Sequence, residues 1–487
     1  MKVIFIVALV FILSACGRGA EYNYEYVPES PTPIITEATP EPTPERCDFL
    51  PEPSPTPKAA IRLIPDEEPY IPLIPRWVEG DTFVTQHFLC DFDYLMHMLR
   101  INFPLFGPAY RGHGINIDLI EEATRQAILQ SNITSPQEFS NMLARYFFEP
   151  FGGFGHLYQH WERRLHLVLA NIYRDSIDEH GNFIHAYSQR IYEAMRHPAV
   201  TRFYGNIQVN LGQYETGMLT PNNITTEILV EGEIAYMNIH RFNHYNIHHD
   251  SEIIFAFYEE IAGFDHLIID LQQNLGGFPD YFFQLIVAPN LTTPLEGRIY
   301  EFFPAGYNNR LFADALIHDI LSDDPNSITL YYNAQAFTQE NNMPYFNQED
   351  LKLLHNVIAW DIGMTPVVGK LAFNGRIWML IGPGSQSATE VAAIFARETG
   401  FATLVGQPTA GIMGAISAYL VLPNSGILVR YDLGYMTDSY GRSFEEFGVM
   451  PHYVSPQVMS ALETVLTLIE NESYSNSPFK QFRPSRK

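Results

Sequence analysis

Between His266 and Leu271 the chain reads His-Leu-Ile-Ile-Asp-Leu, a short apolar run without alternation. Such a run fits a strand buried on both faces, which requires covering layers on either side of its sheet. The neighbouring pattern agrees. Ile228–Val230 and Ile234–Met237 read as strands, and Glu252–Ile261 reads as a helix. Downstream, Arg376–Ile381 reads as a strand, Ala388–Arg397 as a helix ended by Gly400, and Ala402–Gly406 as a strand. Ala418–Leu422 and Ile427–Tyr431 flank Pro423-Asn424-Ser425-Gly426, a hairpin turn. Alternating strands and helices predict an α/β domain over residues 226–470. Residues 290–370 are expected to hold an insertion with a helix near Glu349–Ala359, and no internal repeat is visible.

The preceding stretch has a different period. Phe92, Leu95, Met96 and Leu99 fall on one stripe of a helix. Ser135-Pro136-Gln137-Glu138 is a capping box with proline at the first helical position, opening a helix through Ala144 and Phe147. Glu162–Tyr173 and Tyr187–Met195 continue the pattern. Residues 77–205 are therefore expected to form an all-helical N-terminal domain.

The first residues read as an address. Lys2 is a minimal basic region, and Val3–Leu13 is an apolar run too short to cross a bilayer, which takes about 20 helical residues. Leu13-Ser14-Ala15-Cys16 resembles a bacterial lipobox, which implies removal of residues 1–15 and a diacylglycerol thioether on Cys16. Two acyl chains suffice for stable anchoring. The expectation is an exported protein held by that lipid on the outer face of the cell membrane or in the outer membrane. Residues 16–76 hold ten prolines between Pro28 and Pro57 and no apolar periodicity, so they read as an extended tether. Residues 471–487 read as a flexible tail. The formal net charge of −26 disfavours nucleic acid as a partner. Cys47 and Cys90 could pair in an oxidising compartment.

The sharpest local feature is Ile381-Gly382-Pro383-Gly384-Ser385-Gln386-Ser387-Ala388-Thr389-Glu390, where a strand turns into a helix. A serine there meets free backbone N–H groups and the helix dipole, the surroundings a developing oxyanion needs. Ser387-x-x-Glu390 is equally a capping box, and a serine without a base is a weak nucleophile. Paired Gly276 and Gly277 follow the 266–271 strand, either for close approach to a ligand or for a sharp turn. His156 with His160 has the i, i+4 spacing of zinc ligands but lacks the metalloprotease glutamate, Leu157 standing in its place. His240, His244, His248 and His249 fit a solvated loop.

Three elements in order resemble the S41 peptidases, the family of C-terminal processing and tricorn core peptidases. They are Asn274-x-Gly276-Gly277 after a strand, Ser387-Ala388-x-Glu390 on a helix, and Gly406-Gln407-Pro408-Thr409-Ala410-Gly411. The resemblance implies a crotonase/ClpP-like α/β core and a serine peptidase that uses no cofactor and no metal. Ser387 would be the nucleophile, with Ser385 the alternative register. Processing peptidases place a lysine base where this chain has Ile412, and no lysine lies between Lys370 and Lys480. The tricorn-like subgroup uses a histidine, which maps to His156 in Gly152-Gly153-Phe154-Gly155-His156. Its acid maps to Glu445, three residues before Gly448-Val449-Met450-Pro451, where His452 replaces the usual aspartate. The oxyanion hole would use backbone N–H groups of Ala388 and of Gly276 or Gly277. The implied partner is a peptide or protein substrate. A non-catalytic peptide-binding protein and an esterase-type hydrolase remain the alternatives. Oligomeric state is not legible.

Overall fold

The computed structural model describes residues 77–206, 219–325, 327–366, 373–413 and 416–476. The expected signal segment, Cys16, the proline-rich stretch with Cys47, and residues 477–487 lie outside them. Cys90 is disulfide-bonded, and both other cysteines of the chain lie outside the described residues.

Helices α1 (Thr85–Asn102), α2 (Phe106–His113), α3 (Ile117–Gln130) and α4 (Pro136–Leu143) open the folded part. The predicted stripe of α1, Phe92, Leu95, Met96 and Leu99, is buried. The predicted capping box at α4 is formed: Ser135 Oγ accepts from Glu138 N, and the Glu138 carboxylate accepts from Ser135 N at 3.2 Å. The helix continues through a π turn (Ala144–Phe148) and a 3-10 turn (Glu149–Phe151) into the glycines. A single 3-10 turn, Phe154–His156, is followed by β1 (Tyr158–Gln159), α5 (Glu162–Asp175), α6 (Ala186–Met195) and α7 (Pro198–Tyr204). The region is thus not purely helical. Tyr158 and Gln159 pair with Arg430 and Val429, and two residues are too few to show a strand period in sequence.

The second half runs β2 (Ile224–Val230), β3 (Ile234–Ile239), α8 (Ile247–Glu260), β4 (His266–Asp270), α9 (Pro279–Phe282), β5 (Arg298–Pro304), α10 (Tyr307–Asp323) and β6 (Ile328–Tyr331). It continues through α11 (Ala334–Glu340), α12 (Gln348–Leu351), β7 (Leu354–Asp361), β8 (Arg376–Ile381), α13 (Ala388–Thr399), β9 (Thr403–Gly406), β10 (Ser417–Val421) and β11 (Leu428–Asp432). Last come β12 (Tyr435–Thr437), α14 (Phe444–Phe447), β13 (Tyr453–Val454) and α15 (Ala461–Asn476). The expected tail therefore begins as helix up to Asn476.

The main sheet has the order β13-β9-β8-β4-β3-β2, parallel except for the β2 edge. Its centre, β4, is buried on both faces as the run 266–271 predicts. Leu267 and Ile269 join the main core, while Ile268 packs with Trp378, Leu380 and Val405 under Val465 and Ile469 of α15. A second, antiparallel sheet has the order β12-β5-β7-β6, and a third β1-β11-β10. The helix expected at Glu349–Ala359 is mostly strand. Only Gln348–Leu351 is helical, and β7 is held between β5 and β6, with Val357, Ile358 and Trp360 buried. Cross-strand pairing in the sheet interior overrides the weak helical period there.

Candidate active site

Among the described residues, four that are not glycine have a positive φ: His156, Asn222, Asn342 and Ser387. Asparagine tolerates that region in turns. For histidine and serine it is a strained conformation, held in place by the surrounding fold at a cost of order 1–3 kcal/mol.

Ser387 stands at the end of the β8–α13 turn with φ 54° and ψ −121°. Its hydroxyl makes no capping bond to α13. The Glu390 carboxylate, which a capping box would turn back to the start of the helix, instead accepts from Thr409 Oγ1 at 2.5 Å and Gly411 N at 2.7 Å. Burial pushes its pKa up to about 7. Glu390 therefore pins the Gly406–Gly411 segment to α13. From that segment's far side, Ile412 O accepts from Ser387 N at 2.8 Å. Ile412, at the position where processing peptidases place lysine, thus holds the serine backbone. Ser385 is fully buried, and its hydroxyl is spent on Leu271 O at 2.8 Å, which leaves Ser387 as the serine of this turn without a hydroxyl partner.

The two glycines after β4 have separate duties. Gly276 lies against the serine turn so closely that a β-carbon built on it would stand 2.6 Å from Gln386 O and 2.9 Å from Ser387 Cβ. Its N–H is taken by Asn274 Oδ1 at 2.8 Å. That same oxygen accepts from Thr389 Oγ1 of α13 at 2.8 Å, and Asn274 O accepts from Gln386 N. Gly277 bridges in parallel to Phe242, with Phe242 N bonded to Gly276 O and Phe278 N to Phe242 O. In that pattern the N–H of Gly277 points to the opposite edge, and within the described residues neither it nor Ala388 N has a hydrogen-bond partner. Of the three residues expected to serve an oxyanion, Gly277 and Ala388 keep unspent donors and Gly276 does not.

His156 ends a run of left-handed residues, with φ 56° at Gly152, 91° at Gly153, 57° at Gly155 and 42° at the histidine itself. A β-carbon on Gly155 would meet the Phe103 ring, so this loop needs glycine for space as well. The imidazole is buried, and Nδ1–H donates to Asp432 Oδ2 at 2.8 Å. Asp432 closes β11, and its other oxygen accepts from Ser417 Oγ at 3.0 Å.

Glu445, the expected acid, makes different bonds. Its carboxylate accepts from Ser443 Oγ at 3.0 Å and from Met436 N at 3.3 Å. Burial pushes its pKa up to about 8, with the Asp432 charge adding to the effect. The carboxylate bonded to the histidine is Asp432. Glu445 still belongs to the neighbourhood. Its carbonyl accepts from His113 Nε2 at 2.8 Å, the His113 ring packs on Phe154 at 4.6 Å, and both His113 and that carbonyl crowd Gly411. Phe154, two residues before His156, and Gly411, one residue before Ile412, both touch this cluster. No hydrogen bond joins the Ser387 hydroxyl to the imidazole, and catalytic hydrogen bonds in unliganded enzymes are often long until substrate binds.

The remaining sequence candidates are structural. His160 stacks on Tyr419 at 5.4 Å, away from a shared site with His156. His244 packs on Phe278. His452 Nδ1 accepts from Leu404 N and ties β13 to β9.

Residues 233–455 match the sequence model of Peptidase family S41. This segment is what the chain shares with peptidase family S41. The chain is 26% identical over 210 residues to a Chlamydia pneumoniae protein, covering 39% of this chain and 33% of the relative, so it spans about a third of that protein's length. Similar solved structures include mature CPAF complexed with lactacystin, 14% identical, TM-score 0.46, covering 80% of this chain and 99% of that one. A lipoprotein from Streptococcus agalactiae is 12% identical, TM-score 0.39, covering 81% and 99%. The photosystem II D1 C-terminal processing protease is 14% identical, TM-score 0.30, covering 49% of each chain.

Sequence reasoning assigned no role to Asp432 or Ser417, and it read Asn274 only as part of the Asn-x-Gly-Gly element. Asp432 lies 276 positions from His156 and belongs to no motif. A usable signal was the pair of charges, Arg430 and Asp432, at the end of the strand opened by Ile427-Leu428-Val429, since buried charges need partners.

Proposed function

We propose that the chain is a serine peptidase in which Ser387 attacks, His156 moves the proton and Asp432 orients the imidazole. The observation that carries the reading is the pairing of strain with unspent donors. Backbone strain falls on the serine and the histidine, and among the described residues two backbone N–H groups lack partners: that of Ala388, next to the serine, and that of Gly277, next to the glycine packed against it. Asp432 commits Nδ1 as the donor nitrogen, so Nε2 is the nitrogen that takes the Ser387 proton. Ser387 Oγ bonds to the peptide carbonyl carbon, and the resulting oxyanion is met by Gly277 N–H and Ala388 N–H. The imidazolium then protonates the leaving amine as the C–N bond breaks. Water repeats the sequence on the acyl-enzyme, with the proton again passing through His156, and releases Ser387.

Peptide or protein is the substrate class that fits the family. Incubating the full chain with a mixed peptide library tests it by mass spectrometry. Cleavage lost with Ser387→Ala and retained in folded wild type is the expected result. Hydrolysis of simple esters without any peptide cleavage would favour the esterase reading.

We also propose that the protein is exported and anchored through lipid on Cys16. The Leu13-Ser14-Ala15-Cys16 ending supports this, and so does the disulfide at Cys90, since disulfides persist in oxidising compartments. Membrane fractionation of cells expressing wild type and Cys16→Ser tests it. The variant is expected in the soluble extracytoplasmic fraction, and an unchanged membrane fraction would refute lipid anchoring.

A further inference from the structure

Behind the His156–Asp432 contact lies a buried polar chain that the S41 motifs do not include. Ser417 opens β10 and is the direct cross-strand partner of Asp432 in β11. A hydroxyl has one proton to give. Ser417 Oγ accepts from Arg430 Nε at 2.9 Å, and its proton goes to Asp432 Oδ1 at 3.0 Å. The other Asp432 oxygen takes the His156 proton. Arg430 is fixed in turn by Tyr158, whose hydroxyl accepts from its Nη1 at 2.9 Å. Tyr158 is cross-strand to Arg430 and lies two residues after His156. Ser417, Arg430, Asp432 and His156 are each at most 4% exposed. Bulk water therefore does not compete for these bonds, and each counts for more than it would at a surface.

The serine is itself clamped. Tyr187 OH donates to Ser417 O at 2.7 Å and accepts from Ser417 N at 3.1 Å. Tyr187 lies in the first turn of α6, where Asp319 of α10 accepts from Ala186 N and Tyr187 N, both at 2.8 Å. The clamp matters because Ser417 is where the chain arrives after Gly411 and Ile412, the residues that grip Glu390 and Ser387. One short segment thus connects the serine turn to the acid behind the histidine.

Resting on the serine peptidase reading above, we infer that Ser417 is a positioning residue of this site. Its hydroxyl, polarised by Arg430, holds the Asp432 carboxylate in the orientation that meets His156. Without the hydroxyl, Oδ1 faces a buried gap and the carboxylate turns to seek another donor. The imidazole then loses its alignment although no residue that touches substrate has changed. Threonine keeps a hydroxyl at the same position and suits a strand.

The test is the rate at which a fluorophosphonate probe labels the full chain, resolved into the maximal rate and the probe concentration giving half of it. For Ser417→Ala the maximal rate is expected to fall 10–100-fold, with the half-saturating concentration within about twofold of wild type. Ser417→Thr is expected to restore the rate to within about threefold. A purely structural role would lower the melting temperature without this split and without rescue by threonine. If Ser417→Ala does not fold, Ser417→Cys, with a weak donor of similar size, makes the same comparison. A folded alanine or cysteine variant labelled at the wild-type rate, while Asp432→Asn is slow, would overturn the role of Ser417 alone. A folded wild type that takes no label would overturn the peptidase reading and this inference with it.

Discussion

At Gly276 the absence of a side chain is a structural requirement. With φ 86° and the serine turn directly above it, any β-carbon must displace Gln386, Ser387 or Ala388. Gly276→Ala is therefore expected to lower the rate of serine labelling at least 100-fold, because small displacements of a nucleophile are costly. A folded Gly276→Ala protein with near wild-type labelling would contradict the placement. The two acids separate as cleanly. Asp432→Asn removes the charge that stabilises the imidazolium and should slow the enzyme by about 10³–10⁴-fold, as loss of the orienting carboxylate does in serine triads. Glu445→Gln keeps the shape of a side chain bonded to Ser443 and Met436 and not to the imidazole, and should slow it less than tenfold. Equal losses in both variants would return Glu445 to the role that the motif alone implies. At this scale the serine turn was legible in the sequence, because strand, glycines, serine and helix are contiguous. The histidine's partner was not, because the Asp432–His156 contact exists only once β11 lies beside β1.

Elements hold the site together across long separations. Arg111 of α2 reaches Glu446 of α14 at 2.7 Å and Asp350 of α12 at 2.5 Å, and the adjacent Gly112 abuts the Glu446 backbone. This clamp fixes the segment whose Glu445 carbonyl crowds Gly411. Arg111→Ala leaves the largely buried Asp350 without its charged partner, which costs about 1–3 kcal/mol. The expected readout is a lower midpoint in denaturant at unchanged slope; an unchanged midpoint would show that the contact contributes nothing. Legibility differed between elements for physical reasons. β4 was readable because burial on both faces leaves an unbroken apolar run. β7 was not, because its apolar residues also satisfy a short helical period, and only pairing with β5 and β6 decides between the two. β1 is set by its partner strand rather than by its own residues.

Across the whole molecule, burial makes several carboxyl groups hold their protons to higher pH than exposed ones do. Burial pushes Glu445 from 4.5 to about 8 and Glu390 from 4.5 to about 7, and it raises Glu301 well above 4.5, with Glu445 and Asp432 nearby adding to the rise. A folded pKa above the unfolded value means that the native state binds the extra proton. The stability these groups contribute is complete below pH 4.5 and is lost as pH rises toward 8. The melting temperature is therefore expected to decline between those values, and Glu445→Gln to flatten the decline. A melting temperature that climbs across that window in wild type would contradict these raised pKa values. The fold as a whole, an α/β core preceded by helices, was legible from alternation and capping. The joining of the helical region to the catalytic core through β1, Tyr187 and Arg111 was not, since no local pattern encodes a contact with a distant strand or loop.

The most direct measurement is site-resolved fluorophosphonate labelling of the full chain, read by peptide mass spectrometry. The account predicts one label, on Ser387, absent in Ser387→Ala, present in Ser385→Ala, and slowed at least 100-fold in His156→Ala. A label on Ser385, or a folded wild type that takes none, would contradict it.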